Sequence, residues 1–236
     1  MRTKSIWGTP PKRIYKLLKI IEQIPKENKK ICIVGCSDGK FLMPFARNKI
    51  FSVGYDIDEI ALYGGNKDFP IKAQNIKYRY DKNFSSEKFH LETKHILGIN
   101  ERLKIEGLEK FADIKLLDFY RYTPKEKFDL VFTSCSLHYS KNAYCSLEEK
   151  VKKLQSIVDK DGYLYIDYMM AIEENDFDKY PSTKFFRKRE ILNYFGDDFK
   201  IISIKENDKI SFEGAHVDCV VDHFHRFGYI FARRIK

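Results

Sequence analysis

Five short apolar runs, Ile31 to Val34, Phe51 to Tyr55, Ile114 to Leu117, Phe128 to Thr133 and Tyr163 to Tyr168, alternate with stretches of helical character along most of the chain. Each run is largely apolar, as a strand covered on both faces must be, and strands separated by helical crossovers pair in parallel. The pattern predicts an α/β fold with a mostly parallel sheet and helices on both faces. Lys200 to Lys205 and Phe224 to Phe231 follow without a helix-length segment between them and predict a closing antiparallel pair. Before the first run, Ile14, Leu17, Leu18 and Ile21 recur at helical spacing after Pro10-Pro11, predicting an amphipathic helix whose outer face carries Lys12, Arg13, Lys16 and Lys19.

One interval is out of proportion. About 55 residues separate the second strand, ending near Asp58, from the third, beginning near Ile114, where a crossover needs about a dozen. Helical patterning from Ser86 to Lys94 and from Glu101 to Lys110 predicts a helical insertion over 64–113, read either as a lid over the site or as an oversized crossover with no substrate role. At 236 residues the chain fits one domain, 1–236, with this insertion inside it.

Composition narrows the setting. The five cysteines are an odd set without a CxxC pair, which argues against a secreted disulfide framework and for a reducing cytoplasm. No stretch approaches the ~18 apolar residues of a membrane span, and the opening residues lack the apolar core of a signal peptide. The net charge of +9 predicts attraction to anions, whether nucleic acid, phospholipid or an acidic metabolite.

The segment Ile31-Cys-Ile-Val-Gly35-Cys-Ser-Asp-Gly39-Lys-Phe-Leu reads as a strand that breaks into a glycine loop and then starts a helix, an arrangement that lets an anionic ligand approach the backbone. A dinucleotide fingerprint needs glycine at its third and sixth positions, which here are Ser37 and Lys40, so NAD is disfavoured. No Gly-Lys-Ser/Thr follows, which excludes a P-loop. Asp56 lies 21 residues after Gly35 at the end of the second strand, where a carboxylate can accept ribose hydroxyls. Asp118 ends the next strand and could accept from an adenine amino group, with Phe119 against the ring.

This order of features resembles the class I S-adenosylmethionine-dependent methyltransferases over most of the chain. Gly35-Cys-Ser-Asp-Gly39 corresponds to the family's Gly-x-Gly-x-Gly, Asp56 to its ribose acid and Asp118 to its adenine acid. Phe128 to Tyr139 corresponds to its fourth strand and active-site loop, and Lys153 to Asp167 to its helix, turn and fifth strand. Two departures are Ser37 in place of the middle glycine and Ile33 where many relatives carry an acid. The resemblance implies a Rossmann-like seven-stranded sheet and S-adenosylmethionine as cofactor, leaving as S-adenosylhomocysteine. The implied cofactor contacts are Gly35, Cys36, Ser37, Asp38, Gly39, Asp56, Ile57, Asp118, Phe119, Ser134 and Cys135. The C-terminal half is similar to tellurite-resistance and thiopurine-type small-molecule methyltransferases. The opening Ser5-Ile-Trp-Gly-Thr-Pro-Pro-Lys-Arg is similar to that of methyltransferases acting on bacterial capsule precursors.

An activated methyl group needs an aligned acceptor and a base, and histidine is the natural base at neutral pH. His216 and His138 are the candidate catalytic residues. Tyr139, Arg187, His223 and His225 are candidates to bind the acceptor, with Lys12, Arg13, Lys188 and Arg226 as further cations able to clamp a carboxylate or phosphate. His216-x-Asp218-Cys219 followed by His223-x-His225 contains metal-type ligands, but the spacing matches no established zinc pattern, and no metal is assigned. The loop Ser134-Cys-Ser-Leu lacks the Asn/Asp-Pro-Pro-Tyr/Phe signature of exocyclic-amine methylation. A small anionic acceptor methylated on oxygen is therefore preferred, with an RNA methyltransferase or a weakly catalytic methyltransferase-like binding protein as alternatives.

Overall fold

A computed structural model describes residues 2–70, 91–122, 124–179, 184–214, 216–217 and 223–236. In chain order the elements are α1 (Lys12–Glu22), β1 (Lys30–Val34), α2 (Met43–Arg47), β2 (Phe51–Asp56), α3 (Glu59–Tyr63), β3 (Gly65–Pro70), β4 (Leu91–Ile96), α4 (Ile99–Glu106), β5 (Ala112–Leu116), β6 (Phe128–Ser134), α5 (Leu147–Ser156), β7 (Val158–Met170), α6 (Asp176–Lys179), β8 (Phe199–Glu206), β9 (Ser211–Glu213) and β10 (His223–Arg234). Seven strands form one path in the order β5-β2-β1-β6-β7-β10-β8, and β9 pairs with β10 at its start. β5, β2, β1, β6 and β7 are mutually parallel, and β10 runs antiparallel to both of its neighbours on the path. All seven strands predicted from apolar runs are present.

Alternation along the central strands sends successive side chains to opposite faces. Ile31 and Ile33 of β1 join Leu130, Phe132 and the α1 residues Ile14, Leu17, Leu18 and Ile21 on one side. Cys32 and Val34 join Val131, Leu164, Ile166 and the α5 residues Val151 and Leu154 on the other. The sheet is thus sandwiched, which is why its central strands carry no polar face. α1 is the predicted amphipathic helix, with Lys12, Lys16 and Lys19 exposed. Ser146 caps α5, accepting from the Glu149 N–H at 3.1 Å while the Glu149 carboxylate accepts from the Ser146 N–H at 2.7 Å.

The 64–113 interval corrects part of the sequence reading. Leu91–Ile96, within which helical patterning extended to Lys94, is a strand, paired antiparallel with Gly65–Pro70 in a separate two-stranded ribbon. Cross-strand contact overrides the weak helical period here: Thr93 donates to Asp68 at 2.6 Å and the register sets Phe69 opposite Glu92. The helix expected from Glu101 is α4, which starts two residues earlier. Ser86 to His90 lie outside the described residues. Among the described residues, no helix is long and apolar enough to cross a membrane.

Two substitutions test this packing. Ile14→Ala removes a fully buried side chain from the α1 interface and is expected to cost about 2–5 kcal/mol, whereas Ser146→Ala removes an exposed cap and is expected to cost about 1 kcal/mol. Urea unfolding of both variants checks the order; equal losses would contradict the docking of α1 on the sheet.

Candidate functional site

The glycine loop leaves β1 and is bonded at once to the end of β2. The N–H groups of Gly35 and Cys36 both donate to the Tyr55 carbonyl, at 2.9 and 3.1 Å. Gly35, Ser37 and Gly39 take φ of +72°, +45° and +88°, the left-handed region in which a side chain costs about 1–2 kcal/mol. A Cβ at Gly35 would stand 3.0 Å from the Ser136 Cβ, so this glycine permits the loop to approach the segment after β6. Ser37 holds the same handedness with a side chain. Its N–H donates to Asp56 at 2.7 Å, and its Oγ accepts from the Trp7 indole N–H at 2.9 Å.

Asp56 therefore organises the loop itself. Its carboxylate accepts the N–H groups of Ser37, Ile57 and Asp58. Burial pushes its pKa up against the opposing pull of these donors. Of roughly four lone-pair positions on a carboxylate, one remains for a ligand. Ile57, the next residue, is 44% exposed, an apolar side chain held in water beside the acid. Asp118 accepts from the Tyr120 N–H at 3.0 Å and the Tyr144 hydroxyl at 2.7 Å.

The side chains of three predicted cofactor contacts, Asp38, Cys36 and Phe119, are buried. The Asp38 side chain is fully buried and turned toward the N-terminal segment, where it accepts from Ser5 Oγ at 2.7 Å and the Ile6 N–H at 2.8 Å and pairs with Arg102 at 3.2 Å. The Cys36 thiol is buried against Gly54, so only its backbone faces the loop. Phe119 is buried and packs edge-on against Tyr55 and Tyr120, making its ring part of the core. The helix expected directly after Gly39 begins only at Met43.

The N-terminal segment, unread as a site element in the sequence, forms a strap over the glycine loop. Thr3 donates through its N–H and hydroxyl to Glu106 at 2.8 and 2.7 Å, Arg47 forks onto the same carboxylate, and Trp7 reaches Ser37. The indole of Trp7 also meets the His216 ring edge-on at 5.4 Å.

His216, His223 and His225 come together at the start of β10. Ring centroids are 5.1 Å apart for His216 and His223 and 4.3 Å for His223 and His225. The centre of the group is Glu213 of β9, which the sequence reading missed because it lies ten residues before His223 and meets it only through strand pairing. Its carboxylate lies 2.8 Å from His225 Nε2, 3.8 Å from His223 Nε2 and 3.9 Å from His216 Nε2. The hydrogen bond from His225 leads the effects that hold the Glu213 carboxyl below its ordinary value. The Glu213 charge also acts on Lys40 and on Cys135, so the group stands beside the glycine loop and the segment after β6. Asp218 and Cys219 lie outside the described residues.

The segment after β6 carries the remaining candidates. Ser134 donates to Asp167 at 2.9 Å. Burial, with Asp167 nearby, pushes the Cys135 thiol up to about 12, so it is not a thiolate nucleophile at neutral pH. His138 is half-buried and stacks on the exposed Tyr139 at 4.7 Å. The buried Lys150 of α5 pins this segment by donating to the Leu137 carbonyl at 2.7 Å and to Asn142, and burial brings its pKa down to about 8. Arg13 forms an ion pair with Asp167, so its charge is engaged within the site. Arg187, predicted to bind the acceptor, lies on the surface, forked onto Glu174 and stacked over Phe177. Lys188 is likewise on the surface, paired with Asp208 at 3.0 Å.

A sheet ordered β5-β2-β1-β6-β7-β10-β8 with β10 antiparallel is the Rossmann-like fold also found in solved methyltransferase structures. Solved structures similar to the chain include TehB from Haemophilus influenzae, with a TM-score of 0.61 and 15% identity over 95% of this chain and 62% of that one. Another is magnesium protoporphyrin IX methyltransferase from Synechocystis with S-adenosylhomocysteine bound, at 0.56 and 13% over 94% and 82%. A third is the N-methyltransferase NodS from Bradyrhizobium japonicum, at 0.56 and 10% over 95% and 96%. The chain thus spans about three-fifths of the TehB chain. No family model matches the sequence, and no curated protein matches it.

The strap yields a pH test. Burial alone would raise the Glu106 carboxyl, but the donors from Arg47 and Thr3 outweigh it and bring the pKa down to about 2 from 4.5. A depressed folded pKa means that this contact stabilises docking fully above about 4.5 and loses strength as the pH falls toward 2. Fluorescence of Trp7, the single tryptophan, is expected to report a docked strap at pH 5 and its release over that window. Glu106→Gln is expected to weaken docking at neutral pH and flatten the acid transition; an unchanged transition would contradict the anchor.

Proposed function

We propose that the chain is an S-adenosylmethionine-dependent methyltransferase acting on an oxygen of a small anionic acceptor. The observation that carries this reading is the placement, at the carboxyl ends of β1, β2 and β5, of a left-handed glycine loop, Asp56 with one acceptor position left, exposed Ile57 and Asp118, with Trp7 linking the loop to His216 of the Glu-His group. These residues fit the cofactor. The remaining Asp56 lone pair suits a ribose hydroxyl, Ile57 offers an apolar face to a base, and Asp118 accepts from an adenine amino group once the half-exposed Tyr144 turns away. The backbone of Gly35 to Gly39 lies along the rest.

When bound, the cofactor supplies a methyl group already activated by a sulfonium, which leaves as a neutral thioether. The protein's part is then alignment and proton removal. His216, at the rim of the group and in contact with Trp7 of the strap, takes the proton from the acceptor oxygen. Lys40, half-buried beside Arg13 and Glu213, has its pKa lowered by burial and by Arg13; as an ammonium it attracts the acceptor's carboxylate or phosphate.

Calorimetry is expected to show binding of S-adenosylmethionine and S-adenosylhomocysteine and none of NAD. Asp56→Ala is expected to weaken both by at least about tenfold, or 1.4 kcal/mol; binding of NAD in preference would overturn the reading. In a screen of hydroxy acids and sugar phosphates for S-adenosylhomocysteine release, His216→Gln is expected to lower turnover about 10²–10⁴-fold with cofactor affinity unchanged. The exposed lysines of α1 make RNA the second acceptor to include. Methylation of RNA with affinity falling steeply in salt would replace the small acceptor.

A further inference from the structure

The Glu213, His223 and His225 group has the donor set of a metal site. Its position is fixed by backbone as well as by side chains: β9 and β10 pair antiparallel with Glu213 directly opposite His223, and His225 two residues on along the same face. The three ligand atoms all lie within 4.8 Å of one another. Two of the separations, 2.8 and 3.8 Å, bracket the about 3.3 Å expected between tetrahedral ligands each ~2.0 Å from a zinc ion. His223 and His225 are 3% and 4% exposed.

Charge points the same way. A single carboxylate faces the three imidazoles, with Lys40 as a further cation under the Glu213 charge. A divalent ion instead uses the carboxylate and two neutral imidazoles as ligands. Imidazole with carboxylate suits zinc and its transition-metal neighbours over magnesium or calcium, and three protein ligands with an open fourth position are the arrangement of catalytic sites, not of closed structural ones.

We propose that Glu213, His223 and His225 bind one divalent transition-metal ion, zinc foremost, with its open position directed to the acceptor pocket and His216 at its rim. The open position would hold an oxygen of the acceptor, which narrows the substrate class to molecules with a hydroxyl or carboxylate oxygen able to ligate a metal. That use of the ion rests on the methyltransferase reading; the binding of the ion does not.

The test uses the full chain, stripped with chelator and titrated with Zn²⁺ by calorimetry in the absence of cofactor, and with Co²⁺ followed by visible absorption. The expected result is one equivalent bound, with tetrahedral-type Co²⁺ bands that lack a thiolate charge-transfer band. His225→Gln and Glu213→Gln are each expected to weaken Zn²⁺ at least about 100-fold while S-adenosylmethionine affinity stays within about twofold. Glu213 is half-exposed, so its variant remains informative if a buried-histidine variant fails to fold. Absence of stoichiometric binding at micromolar Zn²⁺, or undiminished binding in both folded variants, overturns the site. Metal without cofactor binding would instead retire the methyltransferase reading alone.

Discussion

The bonding of the β1 loop onto the end of β2 is the constraint on which the rest of the site depends. Two N–H groups share the Tyr55 carbonyl and a third is fixed by Asp56, so the loop cannot relax into a helix or drift from the sheet. That geometry forces left-handed backbone at Gly35, Ser37 and Gly39 and brings the loop against Ser136. It also presents the Ser37 hydroxyl to Trp7, which draws the N-terminal strap over the loop. One carboxylate at a strand end thereby sets the loop and leaves one acceptor position for a ligand.

Around that junction, buried polar contacts do the positioning. Asp38 and Arg102 are both almost fully buried and paired, with Asp38 further satisfied by Ser5 and Ile6; removing one partner of such a pair strands the other and is costly. The strap is thus tied to α4 and to the loop together. On the far side, Lys150 ties the segment after β6 to α5. The first anchor holds the glycine loop, which Trp7 joins to His216, and the second holds the segment that follows Cys135.

The sheet was legible because burial on both faces writes itself as unbroken apolar runs, and each of the seven strands was found in its place. The glycine loop and Asp56 were legible because strand, glycine and acid follow at a fixed spacing. Other features were not. Whether Asp38 faces a ligand or the interior depends on Arg102, sixty-four residues away, which no local pattern encodes. Glu213 belongs with the histidines only through the β9–β10 register. Leu91–Ile96 carries too few apolar residues to reveal its strand: five of its six residues are exposed, and its partner β3 buries none.

On the proposed function, the carboxyl ends of these strands hold one nucleoside-bearing methyl donor with its reactive end toward the histidine group. A crystal structure of the protein with S-adenosylhomocysteine tests it most directly. The account predicts ribose against the Asp56 carboxylate, the base between Ile57 and Asp118, and the sulfur facing Cys135, His216 and Glu213. Density for the ligand elsewhere, or a sulfur turned away from the histidines, would contradict it.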